Sequence, residues 1–310
     1  MNMKLKLIVA ALALVAAGGA NAAMDNAASG NGSLMMNLRF YDTAPSTQNV
    51  SAGFDLGVSM DEALAWNGVA GFTRTWNLST GAVTGSGITG SQAVGTYGTA
   101  WSSFNSTVAA SSVANPASKI EFNVIALDMT GEGTAGVDGI RYLSTADTSF
   151  VNITNSNLIA FKDMDAYVNA NNGLGTHASA ANGASVVNKG VGAAYFGTVS
   201  GSTTGDSWVA HTSEDTTKTL VTAQDFWLLT NAAGNGAATS AKTAFGVDLN
   251  HNGSIGAGEY STWSVDAAAG TITYANAGTY IAPVPEPETY ALMLAGLGLV
   301  GFMARRHKAV

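Results

Sequence analysis

The chain contains no cysteine. That excludes a disulfide framework, thiolate catalysis and thiolate zinc sites. A stable body must therefore rest on apolar area buried in a sizeable core. Charge is scarce as well: Asp, Glu, Lys and Arg make up 11% of the 310 residues, against about 25% in an average soluble domain. Basic charge is the scarcest, and Lys4, Lys6, Arg305, Arg306 and Lys308 all sit at the two ends. Residues 24–284 hold 8 basic and 19 acidic side chains, a net of −11. Such a surface repels phosphate backbones and no basic patch offsets it, so no nucleic-acid partner is expected. The bland value of an acidic exterior is solubility, and it also attracts cations. There is no G-x-S-x-G, no H-E-x-x-H and no Walker lysine, which removes the local signatures of several hydrolases and nucleotide-binding proteins. Paired carboxylates for glycoside hydrolysis stay open, because they need not be neighbours in sequence.

What the chain does have is glycine, 37 residues of it, and 26 aromatic side chains, all but Tyr290 and Phe302 spread through the body. Low charge with many small polar residues suits an extracellular β-rich protein, and the aromatics support a packed core rather than disorder. Several stretches alternate with period two. In SLMMNLRFYDT, Leu34, Met36, Leu38 and Phe40 face one way, and Met35, Asn37, Arg39 and Tyr41 the other. Phe54, Leu56 and Val58 alternate with Gly or Asp, KIEFNVIALDM and GIRYLST are β-type runs, and STWSVDAAAGTITYA reads as a hairpin with Asp266–Gly270 as its loop. Each fits a strand.

Helices are few. Ser59-Met60-Asp61-Glu62 is a capping-box pattern opening a short turn through Trp66. Asn157–Asn169 carries Leu158, Phe161, Met164 or Asp165, and Val168 at helical spacing, and Thr222 is placed to cap a short helix over Ala223–Leu229. Glycine-rich stretches at 80–100, 172–185 and 231–241 read as loops or as strands with solvated edges. The expected fold is mainly β: a sandwich or curled antiparallel sheet with two or three short helices. One domain over residues 23–282 is the simpler organisation.

Both ends carry targeting signals. Lys4 and Lys6 precede an apolar run from Leu7 to Ala17, and Ala20-Asn21-Ala22 is a small-x-small cleavage site, so residues 1–22 read as a secretory signal peptide. At the other end Pro285-Glu286-Pro287 breaks regular structure. Tyr290–Ala304 is then uncharged, and Arg305, Arg306 and Lys308 follow. As a helix this run spans about 22 Å, short of a hydrocarbon core of about 30 Å. The basic tip would stop it on the cytoplasmic side.

Val284-Pro285-Glu286-Pro287, the short apolar run and Arg305-Arg306 together resemble the PEP-CTERM sorting signal of Gram-negative bacteria, over residues 283–310. The resemblance implies an exosortase-type processing enzyme as partner and transient anchoring in the inner membrane. It further implies sorting to the cell envelope or surface, in a setting of extracellular polysaccharide and biofilm. It fixes transport and leaves the activity of the body open.

The sharpest internal motif is DLNHNGSIGAGE, Asp248–Glu259, which fits the calcium-loop pattern D-x-[DN]-x-[DN]-G-x5-E. Asp248, Asn250 and Asn252 stand at positions 1, 3 and 5, Gly253 at the sharp turn, Ser254 at the carbonyl position and Glu259 at the bidentate one. Asp, Asn and Gly also cluster in ordinary turns, so the choice lies between a calcium site and a bare turn. The loop resembles the EF-hand or dockerin type, but it occurs once. TSAKTAFGV before it makes a poor helix, and YSTWSV after it reads as a strand. A weak structural clip fits better than a hinged sensor.

Lesser candidates read as structure. Gly85–Gly90 and Gly131–Gly136 match G-x-G-x-x-G but lack a strand–helix context. His211 with Glu214 and Asp215 reads as a solvated acidic loop, Asp163 and Asp165 as surface charge, and six tryptophans as core. The expectation is a non-enzymatic envelope or matrix protein with calcium as its only candidate cofactor. A carbohydrate-binding or adhesive module is the alternative, and an exported hydrolase stands behind it.

Overall fold

The computed structural model describes residues 24–26, 30–40, 49–128, 141–146, 155, 164–196, 218–230 and 237–278. All of them belong to one compact unit, Met1–Thr279. Within it β1 (Ser33–Phe40), β2 (Val50–Ser59), β3 (Thr73–Asn77), β4 (Ala82–Gly85) and β5 (Gln92–Ala93) come first. They are followed by β6 (Ile120–Asp128), β7 (Arg141–Ala146), β8 (Ala184–Asn188), β9 (Lys218–Thr219) and β10 (Gln224–Thr230). β11 (Ala241–Ala244), β12 (Thr262–Asp266) and β13 (Thr271–Ala275) end the series. All pair antiparallel in one sheet, in the order β5-β4-β3-β13-β12-β10-β7-β6-β1-β2-β8, with β11 added to β10 and β9 to β6.

The sheet curls as a half-barrel around one core. A single apolar cluster takes Met36 and Leu38 from β1, Phe54 and Leu56 from β2, and Trp76 from β3. From farther along the sheet it takes Phe122 of β6, Phe226 of β10, Trp263 of β12 and Tyr274 of β13. Of the two β architectures expected, the curled sheet is the one formed. The core-facing set of β1 is the one its alternation predicts. Its opposite set is buried too: Met35 is 1%, Asn37 0% and Arg39 7% exposed.

Three helices complete the unit among the described residues. α1 (Met60–Leu64) starts at Ser59, whose hydroxyl accepts from the Glu62 amide at 3.4 Å while the Glu62 carboxylate accepts the Ser59 amide at 2.9 Å. This is the capping box expected from the sequence, and it satisfies two otherwise orphaned donors. α2 (Gly98–Ala109) buries Ala100, Trp101, Phe104 and Val108 in the core. α3 (Met164–Asn172) covers the outer face, where the Tyr167 hydroxyl donates to Asn37 Oδ1 at 2.7 Å and Ser185 donates to Asn171 Oδ1 at 2.6 Å.

One sequence expectation is corrected. Ala223–Leu229 is not a helix: Gln224–Thr230 forms β10, and the β7 pairing from Asp225 to Thr230 decides it. The 80–100 stretch, expected as loops or as strands with solvated edges, holds β4 and the exposed β5 and then enters α2. The helix expected from Asn157 begins, within the described residues, at Met164. The 261–275 hairpin forms in register, Thr262 opposite Ala275 and Asp266 opposite Thr271.

The two ends of the sheet meet at a seam. The Thr96 amide donates to the Asn182 carbonyl at 3.1 Å, Asn182 Nδ2 to the Val94 carbonyl at 2.8 Å, and Thr176 Oγ1 to the Thr96 carbonyl at 2.8 Å. Gly57, at φ +66°, makes room for Asn182: a Cβ there would sit 2.6 Å from the Asn182 amide nitrogen. The loop before β8 thereby ties the β8 edge to the segment after β5.

Candidate functional site

The loop Asp248–Glu259 is built between β11 and β12, so strands and not helices flank it, as its neighbours in sequence suggest. Its neck is closed by a bridge between Gly246 and Tyr260 and by the Val247 amide donating to the Glu259 carbonyl at 2.9 Å. Gly246 admits no side chain there, because a Cβ would lie 2.4 Å from the Glu259 carbonyl oxygen.

Amides of the loop itself hold the side-chain oxygens of four of the five candidate ligands, Asp248, Asn250, Asn252 and Glu259. The Asn252 amide donates to both Asp248 Oδ1 and Asn250 Oδ1 at 3.0 Å, so those two oxygens converge. The Gly253 amide donates to Asp248 Oδ2 at 2.8 Å, and the Ser254 amide to Asn252 Oδ1 at 2.8 Å. Glu259 reaches back from the far end of the loop: Oε1 accepts from the Leu249 and Asn250 amides at 3.0 and 3.1 Å, and Oε2 from the Gly256 amide at 2.9 Å. His251 and Gly253 take positive φ, 57° and 82°, which folds the oxygens back over the loop. Glu259 is only 5% exposed.

This donor set is all oxygen, with two carboxylates and two amides, and it fits a hard cation such as calcium. Among the described residues no three His, Asp or Glu side chains gather at one point. Full charge on the loop is therefore limited to Asp248 and Glu259, which argues for weak affinity. Loop amides donate to every side-chain oxygen named, so the loop has a defined shape from its own hydrogen bonds.

Other sequence candidates fall elsewhere. Ala20, Ala22, Pro285, Glu286, Pro287, Arg305 and Arg306 lie outside the described residues, as do Asp163, His211, Glu214, Asp215 and Gly131–Gly136. Gly85–Gly90 is the turn between β4 and β5, with no helix after it. Asp165 lies in the first turn of α3. Trp66, Trp76, Trp101, Trp227 and Trp263 are all buried, while Trp208 lies outside the described residues. No helix of the described residues is long and apolar enough to cross a membrane.

Sequence reasoning missed two buried titratable groups. Asp55 on β2 is 6% exposed, and burial raises its carboxyl to about 6 although the Gly57 amide donates to it at 2.9 Å. His177, in the seam loop, is 1% exposed, and neither ring nitrogen has a partner within 3.5 Å in good hydrogen-bond geometry, the Gly53 backbone being its nearest polar neighbour of consequence. Burial drives its pKa down to about 4, and only the Gly53 backbone opposes the shift. Both positions look unremarkable in sequence, since burial of the outer face is set by α3 and the seam.

The family model of the PEP-CTERM protein-sorting motif matches residues 283–307. The chain therefore carries that motif, and the motif implies exosortase-dependent export to the cell envelope or surface. No curated protein and no solved structure matches the chain.

Proposed function

We propose that this chain is an exported envelope or extracellular-matrix protein with a structural, non-enzymatic role, its body steadied by one calcium ion. The observation that carries the reading is the sorting motif at residues 283–307. Behind it stands a body whose aromatic side chains are committed to packing: Trp76, Trp263, Tyr97 and Tyr274 are each 0% exposed. An exosortase-type enzyme would process the tail after the apolar run has paused in the inner membrane.

Calcium is supported by the twelve-position fit of Asp248–Glu259 and by its all-oxygen donor set. Asp248, Asn250, Asn252, Glu259 and the Ser254 carbonyl would hold it. Bound there, the ion would supply positive charge against two carboxylates and link the β11 and β12 ends of the loop. The alternative reading, a carbohydrate-binding or adhesive module, needs indole faces open to solvent. The five tryptophans described are instead buried, so that reading is the weaker one.

The test is fractionation of intact cells with mass analysis of the mature C-terminus, for the natural chain and for one lacking Pro285-Glu286-Pro287. A processed envelope form that turns into an unprocessed membrane-retained form on deletion is the expected result. Identical processing of both chains would refute the sorting assignment.

A further inference from the structure

A cleft lies between β2 and the β3–β4 hairpin. β8 pairs β2 only from Val50 to Phe54, so Leu56 and Val58 stand beyond that pairing. With Trp76 of β3 and Val83 of β4 they form apolar walls, Ile88 and the exposed Gln92 stand at the rim, and Arg74 of β3 enters from one side.

Arg74 shares a strand face with Trp76, two residues on. Its guanidinium carbon lies 5.4 Å from the centre of the Phe72 ring and 5.7 Å from that of Trp66. Those contacts hold the group in place but supply no acceptor. Its one protein acceptor is the Ser86 carbonyl, at 3.4 Å, and its Nε is buried without a partner.

The body has three arginines, and the other two are ion-paired. Arg39 meets Glu121 at 2.6 Å, and Arg141 meets Asp128 at 2.6 Å. Arg74 pairs with no carboxylate among the described residues. Glu62 acts on it only from a distance, and Glu62 Oε2 already accepts from the Ser59 amide at 2.9 Å and hydroxyl at 3.2 Å. Burial pulls the Arg74 pKa down, yet a guanidinium keeps its charge. A half-buried cation with no anion against it is costly, and an anion brought to it removes part of that cost.

We propose that this cleft is a binding site for a carboxylate, held by the Arg74 guanidinium. The forked N–H groups of arginine match the two oxygens of a carboxylate. The free volume of the cleft is about 20 Å³, and a single water needs roughly 10–15 Å³. One small group therefore fits inside, and the remainder of its bearer stays at the rim beside Ile88 and Gln92. The apolar walls exclude water from the pair, which strengthens it. The carboxylate belongs either to a small free acid or to an acidic sugar.

The test uses the full chain in a neutral detergent. Sodium acetate, sodium glucuronate and, at matched ionic strength, sodium chloride are titrated against the Arg74 Nε–H signal in proton–nitrogen correlation spectra. The signal is assigned by its loss in Arg74→Lys. Acetate and glucuronate should move it saturably, with half-saturation in the millimolar range, and chloride should not. Glucuronate several-fold tighter than acetate identifies an acidic sugar as the bearer, and equal affinity identifies the carboxylate alone as the group recognised. Gln92→Glu, an exposed change at the rim, should weaken both ligands several-fold by placing a negative charge at the entrance. Acetate should also raise the Tm of the natural chain and leave that of Arg74→Met unmoved. A signal that does not saturate, that moves equally in chloride, or that responds unchanged in Gln92→Glu overturns the proposal.

Discussion

The indole N–H of Trp76 on β3 donates to the carbonyl of Leu56 on β2 at 2.9 Å, across the interior of the curled sheet. β8 pairs β2 only from Val50 to Phe54, so this carbonyl lies beyond the strand that would otherwise satisfy it. Tyr97 does the same for Asp55, its hydroxyl donating to the Asp55 carbonyl. Two core aromatics therefore serve as both packing and edge caps. Trp76→Phe should lower stability by about 1–3 kcal/mol, since it leaves a buried carbonyl without a donor. The urea midpoint would read this, and an unchanged midpoint would show that the cap is dispensable.

The seam gives a local prediction. Asn182 takes φ 50° and holds the Val94 carbonyl through its side chain. Asn182→Gly keeps that backbone conformation and removes only the side-chain bond. The variant should exchange the amides of Val94 and Thr96 faster and lose about 1 kcal/mol overall. Hydrogen exchange would separate this from Asn182→Ala, which adds backbone strain and should cost more.

Acid stability should reflect two opposed groups. Asp55 titrates near 6 in the folded chain against 3.8 unfolded. Its contribution is therefore fully present below 3.8 and is lost as pH rises through 6. His177 titrates near 4 against 6.5. Its contribution is present above 6.5 and is lost as pH falls through 4. Each is worth on the order of 3 kcal/mol, so between 4 and 6 they largely offset one another. Asp55→Asn should raise stability at pH 7 and expose the acid loss from His177. His177→Leu should remove that loss. Denaturant curves from pH 4 to 8 would decide, and parallel profiles for all three chains would disprove the assignment.

Calcium should stabilise modestly. With an affinity of about 10⁻⁴–10⁻³ M, as in extracellular modules, a tenfold to hundredfold excess of ion contributes about 1.4–2.7 kcal/mol. That shifts Tm by roughly 3–10 °C for a domain of this size. Melting in calcium and in chelator should show the gap, and Asp248→Ala should close it. Superimposable curves for the natural chain would leave the loop as a turn held by its own amides.

Much of the fold was readable locally. Period-two alternation located β1 and β2, a near-continuous β-type run located β6, the turn residues located the β12–β13 hairpin, and Ser59 with Glu62 located α1. The candidate loop was readable because its ligands lie within twelve residues. What failed was non-local. Gln224–Thr230 has residues that suit either state, and only pairing with β7 makes it a strand. α2 was missed because Ser, Thr and Asn fill its exposed side and Tyr97 gives it no side-chain cap. Trp101, Phe104 and Val108 at helical spacing were the available signal. Burial of Asn37 and Asn123 had no local signature, since α3 and neighbouring strands create it.

β13 lies between β12 and β3, pairing Thr271–Ala275 with Thr73–Asn77. Among the described residues it is the only strand that joins β3, β4 and β5 to the remainder of the sheet ladder. The sheet pairing of that early hairpin therefore waits for a strand near the end of the body. Long-range closure of this kind slows folding, because loop entropy must be lost before the pairing is gained.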